Sequence, residues 1–423
     1  MALTTRRSSP WLALILLAGV ATIGFIDRIV VNVLVEPLKA EFGLTDTQVS
    51  LMGLAFAVLN IVAGLFVARF AERTTRVTLI AIGTVAWSIA TGVCGLAGSW
   101  IQLLLARVGV GLGEAVGLPG NQSVVADYFP PHRRGLAMSV LLLSPPIGAF
   151  IGFVGGGWIA QNFDWRWTFI LAALPGIILG ILVYLFVAEP PRGQHDAEAA
   201  SDVPPIGAVL RRFAVLPSAR HLVIGSTLAA TIGFGLNYFF TSLMIRRFGL
   251  PIGEAGLYAG LIASLPAALS VLASGWLADR FGATRPAAYA VIPGISLLAA
   301  GILYPFAITR PDLGLLLGLV TICAFLQFGY LGITFAALQN LMHPRMRATA
   351  FACLNAVYAS AGALGPILLG AMSDRLEPDY APGVGLAIAM ALLSLVQLWS
   401  AAHYLLAGRH VGRDLERTRS GAV

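Results

Sequence analysis

The chain is short of the residues on which most enzymes and soluble domains depend. Of its 423 residues only 11% are Asp, Glu, Lys or Arg, and three are cysteine. Cys94, Cys323 and Cys353 each sit in an apolar run, and an odd number there supports neither a disulfide framework nor a metal site. They read as packing residues. The single lysine, Lys39, has no GxxxxGK[ST] around it, which removes a P-loop-driven pump. Neither HExxH nor GxSxG occurs, so the signatures of an intramembrane protease are absent too. Gly109-Val-Gly111 begins a dinucleotide fingerprint, but its third glycine would fall on Glu114 and no βαβ pattern surrounds it. The formal net charge of +7 is spread over short loops, which leaves no basic face for a nucleic acid. No enzyme is expected here, and no cofactor or metal.

What is abundant is apolar sequence. Hydrophobic residues make up 58% of the chain and the mean hydropathy is +0.84, far from a soluble domain. The apolar stretches recur at about 20 residues, the length of a membrane-crossing helix and twice that of a barrel strand. The pattern predicts an all-α membrane protein with twelve transmembrane helices. They fall at about 11–35, 48–70, 77–97, 100–127, 136–160, 167–188, 221–244, 254–278, 287–308, 313–341, 349–373 and 383–406. Arg6 and Arg7 before the first run imitate a signal peptide, but no small-residue cleavage site precedes Asp27 and Arg28, so a retained helix is expected. Nineteen arginines lie in the loops and tails on the side of the termini, against six basic residues on the other. Positive loops stay inside, so both termini are expected in the cytoplasm.

The longest polar interruption divides the chain into a short cytoplasmic start (1–10), a first half (11–188), a linker (189–220), a second half (221–406) and a cytoplasmic tail (407–423). Within the linker, Ile206, Val209, Leu210 and Phe213 repeat at i, i+3, i+4 and i+7 beside Arg211 and Arg212. That is the pattern of a short helix lying on the cytoplasmic leaflet, or else of an extension of the seventh span. The halves echo each other. Gly275-Trp-Leu-Ala-Asp279-Arg280-Phe-Gly282 follows the eighth span, and Ala68-Arg-Phe-Ala-Glu72-Arg73-Thr-Thr75 follows the second, with Glu72 and Asp279 207 residues apart. PPHRRGLAMS after the fourth span answers HPRMRATAFA after the tenth, with Arg134 and Arg347 213 residues apart. Two similar offsets indicate a duplicated six-helix unit and two pseudo-symmetric halves. The second offset carries Arg107 onto Val320 and Glu114 onto Gln327, so intramembrane charge belongs to the first half alone.

Those charges need a reason, since one at the bilayer centre costs about 2.5–3.5 kcal/mol even on a lenient scale. In the fourth span Arg107, Gly111, Glu114, Leu118 and Asn121 share one helical face. Arg107 and Glu114 are separated by a rise of roughly 10 Å, so each is expected to have another partner. In the first span Asp27 and Arg28 are adjacent, point about 100° apart and need two environments; Arg28 shares a face with Asn32. Burial and a neighbouring guanidinium pull a carboxylate's proton affinity in opposite directions, which suits Asp27 or Glu114 to proton exchange. Arg28 and Arg107 can hold an anionic headgroup through their guanidinium forks. The alternative is an ion-pair network locking the first and fourth spans, Asp27 with Arg107 or Arg28 with Glu114. In the second half Asn237, Tyr238, Gln327 and Tyr330 are polar groups among phenylalanines, able to wall an acyl chain or simply to pack. Asn60 and Asn121 either line a cavity or bond helix to helix.

The GxLADRxG loop after the second span of each half, with a glycine-rich fifth span (Gly148, Gly152, Gly155, Gly156, Gly157), resembles the major facilitator superfamily. The copy at Gly275 to Gly282 is intact, whereas Ala68, Glu72 and Thr75 depart from it. The resemblance implies the major facilitator fold and a gating role for Glu72, Arg73, Gly275, Asp279, Arg280 and Gly282. Within that superfamily, Asp27-Arg28, Trp87-Ser88 with Thr91, and Arg107-Val-Gly-Val-Gly111-Leu-Gly113-Glu114 are similar to the Spinster family. That similarity implies a secondary transporter of anionic amphiphiles such as lysophospholipids or sphingosine-1-phosphate, coupled to protons. It also implies a monomer in the bacterial inner membrane among membrane lipids. Organic anion symporters carry a related pair and a related RxxxGxxE pattern, so small carboxylates are the alternative cargo. A sensor that binds without transporting is the alternative of another class.

Overall fold

A helix stops where its hydrogen-bond ladder loses a donor or where glycine relaxes the backbone, and in this chain those points shape the spans. The computed structural model describes residues 8–194, 205–282, 284–343 and 346–420, with the side chains at 61, 65–73, 118, 119, 279, 348 and 419 outside that description. In chain order the helices are α1 (Pro10–Val33), α2 (Val35–Phe42), α3 (Asp46–Arg73), α4 (Arg76–Cys94), α5 (Trp100–Glu114), α6 (Gly117–Tyr128), α7 (Pro131–Leu141), α8 (Ser144–Asn162) and α9 (Trp165–Phe186). They continue with α10 (Ile206–Val215), α11 (Pro217–Phe248), α12 (Ile252–Gly282), α13 (Ala288–Ile308), α14 (Leu313–Phe328), α15 (Tyr330–Leu341), α16 (Arg347–Leu376), α17 (Val384–Ser394), α18 (Val396–Gly408) and α19 (Val411–Arg419).

Among the described residues, eleven helical stretches are long and apolar enough to cross a membrane. The expected fourth span is the exception. It folds as α5 and α6, interrupted at Ala115 and Val116. Proline at 119 has no N–H for the carbonyl of Ala115, so the ladder fails one residue beyond Glu114. In the fifth span Pro145 and Pro146 occupy the first turn of α8 and separate it from α7. The tenth span parts at Gly329 and the twelfth at Leu395. Elsewhere the ends are capped locally. Thr45 and Gln48 form a reciprocal capping box at the start of α3, and Gly249, at φ 65°, closes α11 in the left-handed conformation that glycine adopts without cost.

Two compact units result, one of Met1–Ala199 with Leu250–Gly260, the other of Ala200–Gly249 with Leu261–Val423. In the first, α4 packs along α9 and α5, and α1 along α8, α9 and α6, with Leu17, Ile80, Trp87, Leu103, Phe153 and Phe169 buried between them. In the second, α11 packs on α16 and α18, and α13 on α18 and α14. Its core gathers Leu222, Leu297, Tyr330, Leu341 and Tyr404. Outward, Ile15, Leu96, Ile101, Leu272 and Ile302 are largely exposed. Apolar surface on that scale is suited to lipid contact.

The linker contributes to both units. Arg76, at the start of α4, pairs with Asp127 at 2.5 Å and with Glu189 at 2.7 Å, and Glu189 also accepts from Val77 N at 2.8 Å. The polar stretch 195–204 lies outside the described residues, as do 1–7. In α10 the four apolar residues expected on one leaflet-facing side divide between two. Val209 and Phe213 are buried in the second unit, while Ile206 and Leu210 are exposed. Arg212 reaches inward on the same side as Val209 and Phe213, donating to the Leu341 carbonyl at 3.0 Å and to Thr418 at 3.0 Å.

Candidate functional site

The residues that matter here are set by two close approaches in the first unit. Ser99 caps α5 by accepting from Gln102 N, and α5 then runs against α4 and α3. At Gly113 a Cβ would lie 2.7 Å from Cβ of Trp87, so only glycine lets α5 come this close to α4. At Gly24 of α1 a Cβ would lie 2.9 Å from Oε1 of Glu114, so the missing side chain makes room for a carboxylate between α1 and α5.

Asp27 and Arg28 are sequence neighbours in different surroundings. Arg28 Nη2 pairs with Glu114 Oε1 at 2.5 Å, with the arginine side chain 36% exposed and the glutamate 7%. Its guanidinium also lies over the rings of Phe25 and Phe56, at 5.2 and 5.1 Å. Asp27 is only 1% exposed. Neither of its carboxylate oxygens has a hydrogen-bond partner among the described residues. Arg107, 2% exposed, donates to the Asp27 backbone carbonyl at 3.3 Å rather than to the carboxylate. It too faces Phe56, at 5.7 Å. Of the two cross-helix pairs named from the sequence, Arg28 with Glu114 forms; Asp27 with Arg107 is a backbone contact instead.

The second oxygen of Glu114, Nε1 of Trp87 and Oδ1 of Asn121 are buried without partners. All three residues, with Gly24 and Arg28, border a void of about 20 Å³, which is room for about one water molecule. One N–H donor and two oxygen acceptors match a single water's hydrogen-bonding capacity. A buried charge without a partner is costly, so an unpaired carboxylate next to a pair that reaches the surface is an arrangement in which a proton has somewhere to go.

The other residues singled out from sequence are distributed more widely. Asn60 donates to the Gly111 carbonyl at 3.3 Å and Asn121 to the Leu17 carbonyl at 3.3 Å, so each bonds helix to helix. Asn32 is buried in α1. In the second unit Gln327 is buried, donates to the Ala229 carbonyl at 3.5 Å and accepts from Gln397 at 3.3 Å. Tyr330 is packed between Tyr358 and Tyr404, Tyr238 is buried against Phe239, and Asn237 is half-buried. Of the loop motif, the side chains of Glu72, Arg73 and Asp279 lie outside the described residues. Arg280 is exposed over Trp276 at 5.7 Å. A Cβ at Gly282 would meet the Tyr289 ring at 2.6 Å, whereas Gly275 faces open space. Phe56 carries no sequence signal, since a lone phenylalanine in an apolar run is unremarkable until two guanidinium groups are found over it. Trp87, one residue before Ser88 in the third span, was legible as a motif but not as a polar neighbour of Glu114.

The chain belongs to the Major Facilitator Superfamily, which it matches over residues 16–366; it is a multi-pass membrane transporter, and members of this family carry small molecules. It is 32% identical to an MFS-type efflux pump of Mycolicibacterium smegmatis over 96% of this chain and 94% of that one. It is 25% identical to a hexuronate transporter of Bacillus subtilis over 86% and 88%. The fold is similar to the crystal structure of a bacterial homologue of the human lysosomal transporter Spinster, in an inward-facing and unoccupied conformation, with a TM-score of 0.86. There the identity is 28%, over 96% of this chain and 98% of that one.

Proposed function

We propose that this chain is a proton-coupled secondary transporter of an anionic amphiphile, with a single acyl chain and a phosphate or carboxylate head, working by alternating access in the inner membrane with both termini cytoplasmic. The observation that carries the reading is the unequal state of two neighbouring carboxylates: Glu114 holds a half-exposed Arg28, and Asp27 is buried unpaired beside it. When Glu114 takes a proton its hold on Arg28 weakens, and the guanidinium is free to bind the cargo's head. When the proton leaves, Glu114 competes the head away. Asp27, with Arg107 behind it, is the second proton site, and Arg107 keeps that carboxylate's charge tolerable rather than meeting cargo. An apolar second half without matching charge favours a cargo with a tail. The likeness to the Spinster homologue supports the lipid-like reading, and the efflux-pump relative supports export. The hexuronate transporter supports a second reading, a small organic anion as cargo.

The test is transport in proteoliposomes with an imposed pH gradient. Glu114→Gln and Asp27→Asn are expected to lose gradient-driven accumulation of a labelled lysophospholipid while still exchanging it across the bilayer. Wild-type accumulation by both variants would falsify the coupling scheme. Accumulation of hexuronate but not of lysophospholipid would move the assignment to the second reading, and binding without any exchange would make the chain a sensor.

A further inference from the structure

Three histidines meet in the second unit where α11 begins and α18 ends, far in sequence from the charges discussed above. His221 Nδ1 lies 2.8 Å from His403 Nδ1. His410 stacks on His221 with ring planes 9° apart and centroids 6.5 Å apart, and Arg413 donates to His410 Nδ1 at 3.0 Å. The tautomers follow from those contacts. In the facing pair one Nδ1 must accept, and in His410 Nδ1 accepts from Arg413, so at least two of the three rings carry a proton on Nε2. Exposed Arg220 adjoins His221; its backbone N–H donates to the Leu216 carbonyl at 3.0 Å, and its side chain makes no hydrogen bond or ion pair among the described residues.

The cluster is cationic and has little counter-charge of its own. The carboxylate nearby, Asp414, is fully buried and is occupied by Ser218, whose backbone N–H and hydroxyl donate to it at 3.0 and 2.7 Å. Its other oxygen stands 3.9 Å from Arg413 Nε. Beside the rings the surface turns apolar. Trp399 is 59% exposed with its ring 6.0 Å from His403, and Leu406 and Ile224 are exposed at helical spacing from His403 and His221. Basic donors at the rim of a span, next to an aromatic and an apolar stripe, are the combination that holds an acidic lipid by head and tail together.

We propose that Arg220, His221, His403, His410 and Arg413 bind the phosphodiester head of an anionic phospholipid of the surrounding bilayer, with its chains along Trp399 and Leu406. The site lies in the second unit, whereas Asp27, Arg28 and Glu114 lie in the first, and it does not depend on the coupling scheme. It is tested with the full chain in phosphatidylcholine nanodiscs containing graded phosphatidylglycerol, counting retained lipid by native mass spectrometry. Arg220→Gln/Arg413→Gln should weaken phosphatidylglycerol retention by about tenfold or more, whereas Arg310→Gln, which removes an arginine lying over Phe306, should leave it unchanged. Equal retention by the cluster variant and wild type overturns the proposal. Protection of the wild-type cluster by inorganic phosphate alone, to the same degree as by the lipid, overturns it as well and makes this a soluble-anion site. A second measurement avoids dependence on the double variant: brominated phosphatidylglycerol should quench Trp399, read as wild type minus Trp399→Phe, more strongly than brominated phosphatidylcholine. Equal quenching counts against the site.

Discussion

The two units carry the same interruption in the same helix and use it differently. In the first unit the helix parts after Glu114, and in the second after Phe328, one residue beyond the position that corresponds to Glu114. Before the break stand Arg107 and Glu114 in one case, Val320 and Gln327 in the other. The first pair of positions is tied to α1 by an ion pair and a carbonyl contact; of the second, Gln327 holds its neighbours with neutral amide bonds and Val320 is simply buried. A neutral amide network has no proton to release. The comparison indicates that the broken helix is a property of the shared fold, whereas the charge is an addition peculiar to the first unit, tolerated because α1 brings Arg28 and a glycine to meet it.

Asp27 is the position at which the two units should differ most. Asp27→Asn removes the unpaired carboxylate without changing shape, and gradient-driven accumulation in proteoliposomes should fall by about tenfold or more, the low end for loss of a proton-transferring group. Retained accumulation would mean that the asymmetry between the units has no bearing on coupling. The reverse change moves a charge into the second unit. Val320→Arg buries a guanidinium at a site 2% exposed, and should cost about 2.5–3.5 kcal/mol, seen as a lowered melting temperature in detergent. An unchanged melting temperature would show that the second unit could have carried charge equally well.

Smaller effects sharpen the same contrast. Gly24→Ala places a methyl 2.9 Å from Glu114 Oε1. Because the clashing atom ends a flexible side chain, the cost should be about 1 kcal/mol, the low end for overpacking. The variant's transport should lose part of its gradient dependence as the carboxylate is pushed off Arg28; full retention would show that the pair's geometry is slack. The smallest effect is outside the membrane. Arg166 holds Glu41 by two nitrogens, at 2.5 and 3.3 Å, and these bonds lower the carboxylate's pKa below its usual value of 4.5. A depressed folded-state pKa contributes stability above pH 4.5 that is lost as pH falls through the lower, folded value. Glu41→Gln should therefore flatten the acid limb of the stability profile slightly, by less than about 1 kcal/mol for a pair this exposed, and leave neutral-pH transport intact.

Apolar period and length were enough to reveal the spans, and the offset of 213 residues was enough to show that charge would be one-sided. Spacing also dictated that Asp27 and Arg28 face different surroundings, because neighbours on a helix diverge by about 100°. Which partner each finds is not encoded locally, since a choice between Arg28 with Glu114 and Asp27 with Arg107 depends on the rotation and distance of α1 against α5. Those are set by Gly24 and Gly113, and a glycine in sequence does not announce what approaches it. The division of α10's apolar residues was illegible for the same reason: Arg212 finds the Leu341 carbonyl across 129 residues, a contact no local pattern encodes.

Hydrophobicity, helical period and repeat offset are local or additive along the chain, so the amino-acid order alone points to a helical membrane transporter whose first half carries the charge at the middle of its spans. Only the tertiary structure decided that Glu114 is paired, that Asp27 is not, and that Phe56 lies beneath both arginines. Pairing is a matter of a few ångströms between helices remote in sequence, and packing, not composition, supplies those ångströms.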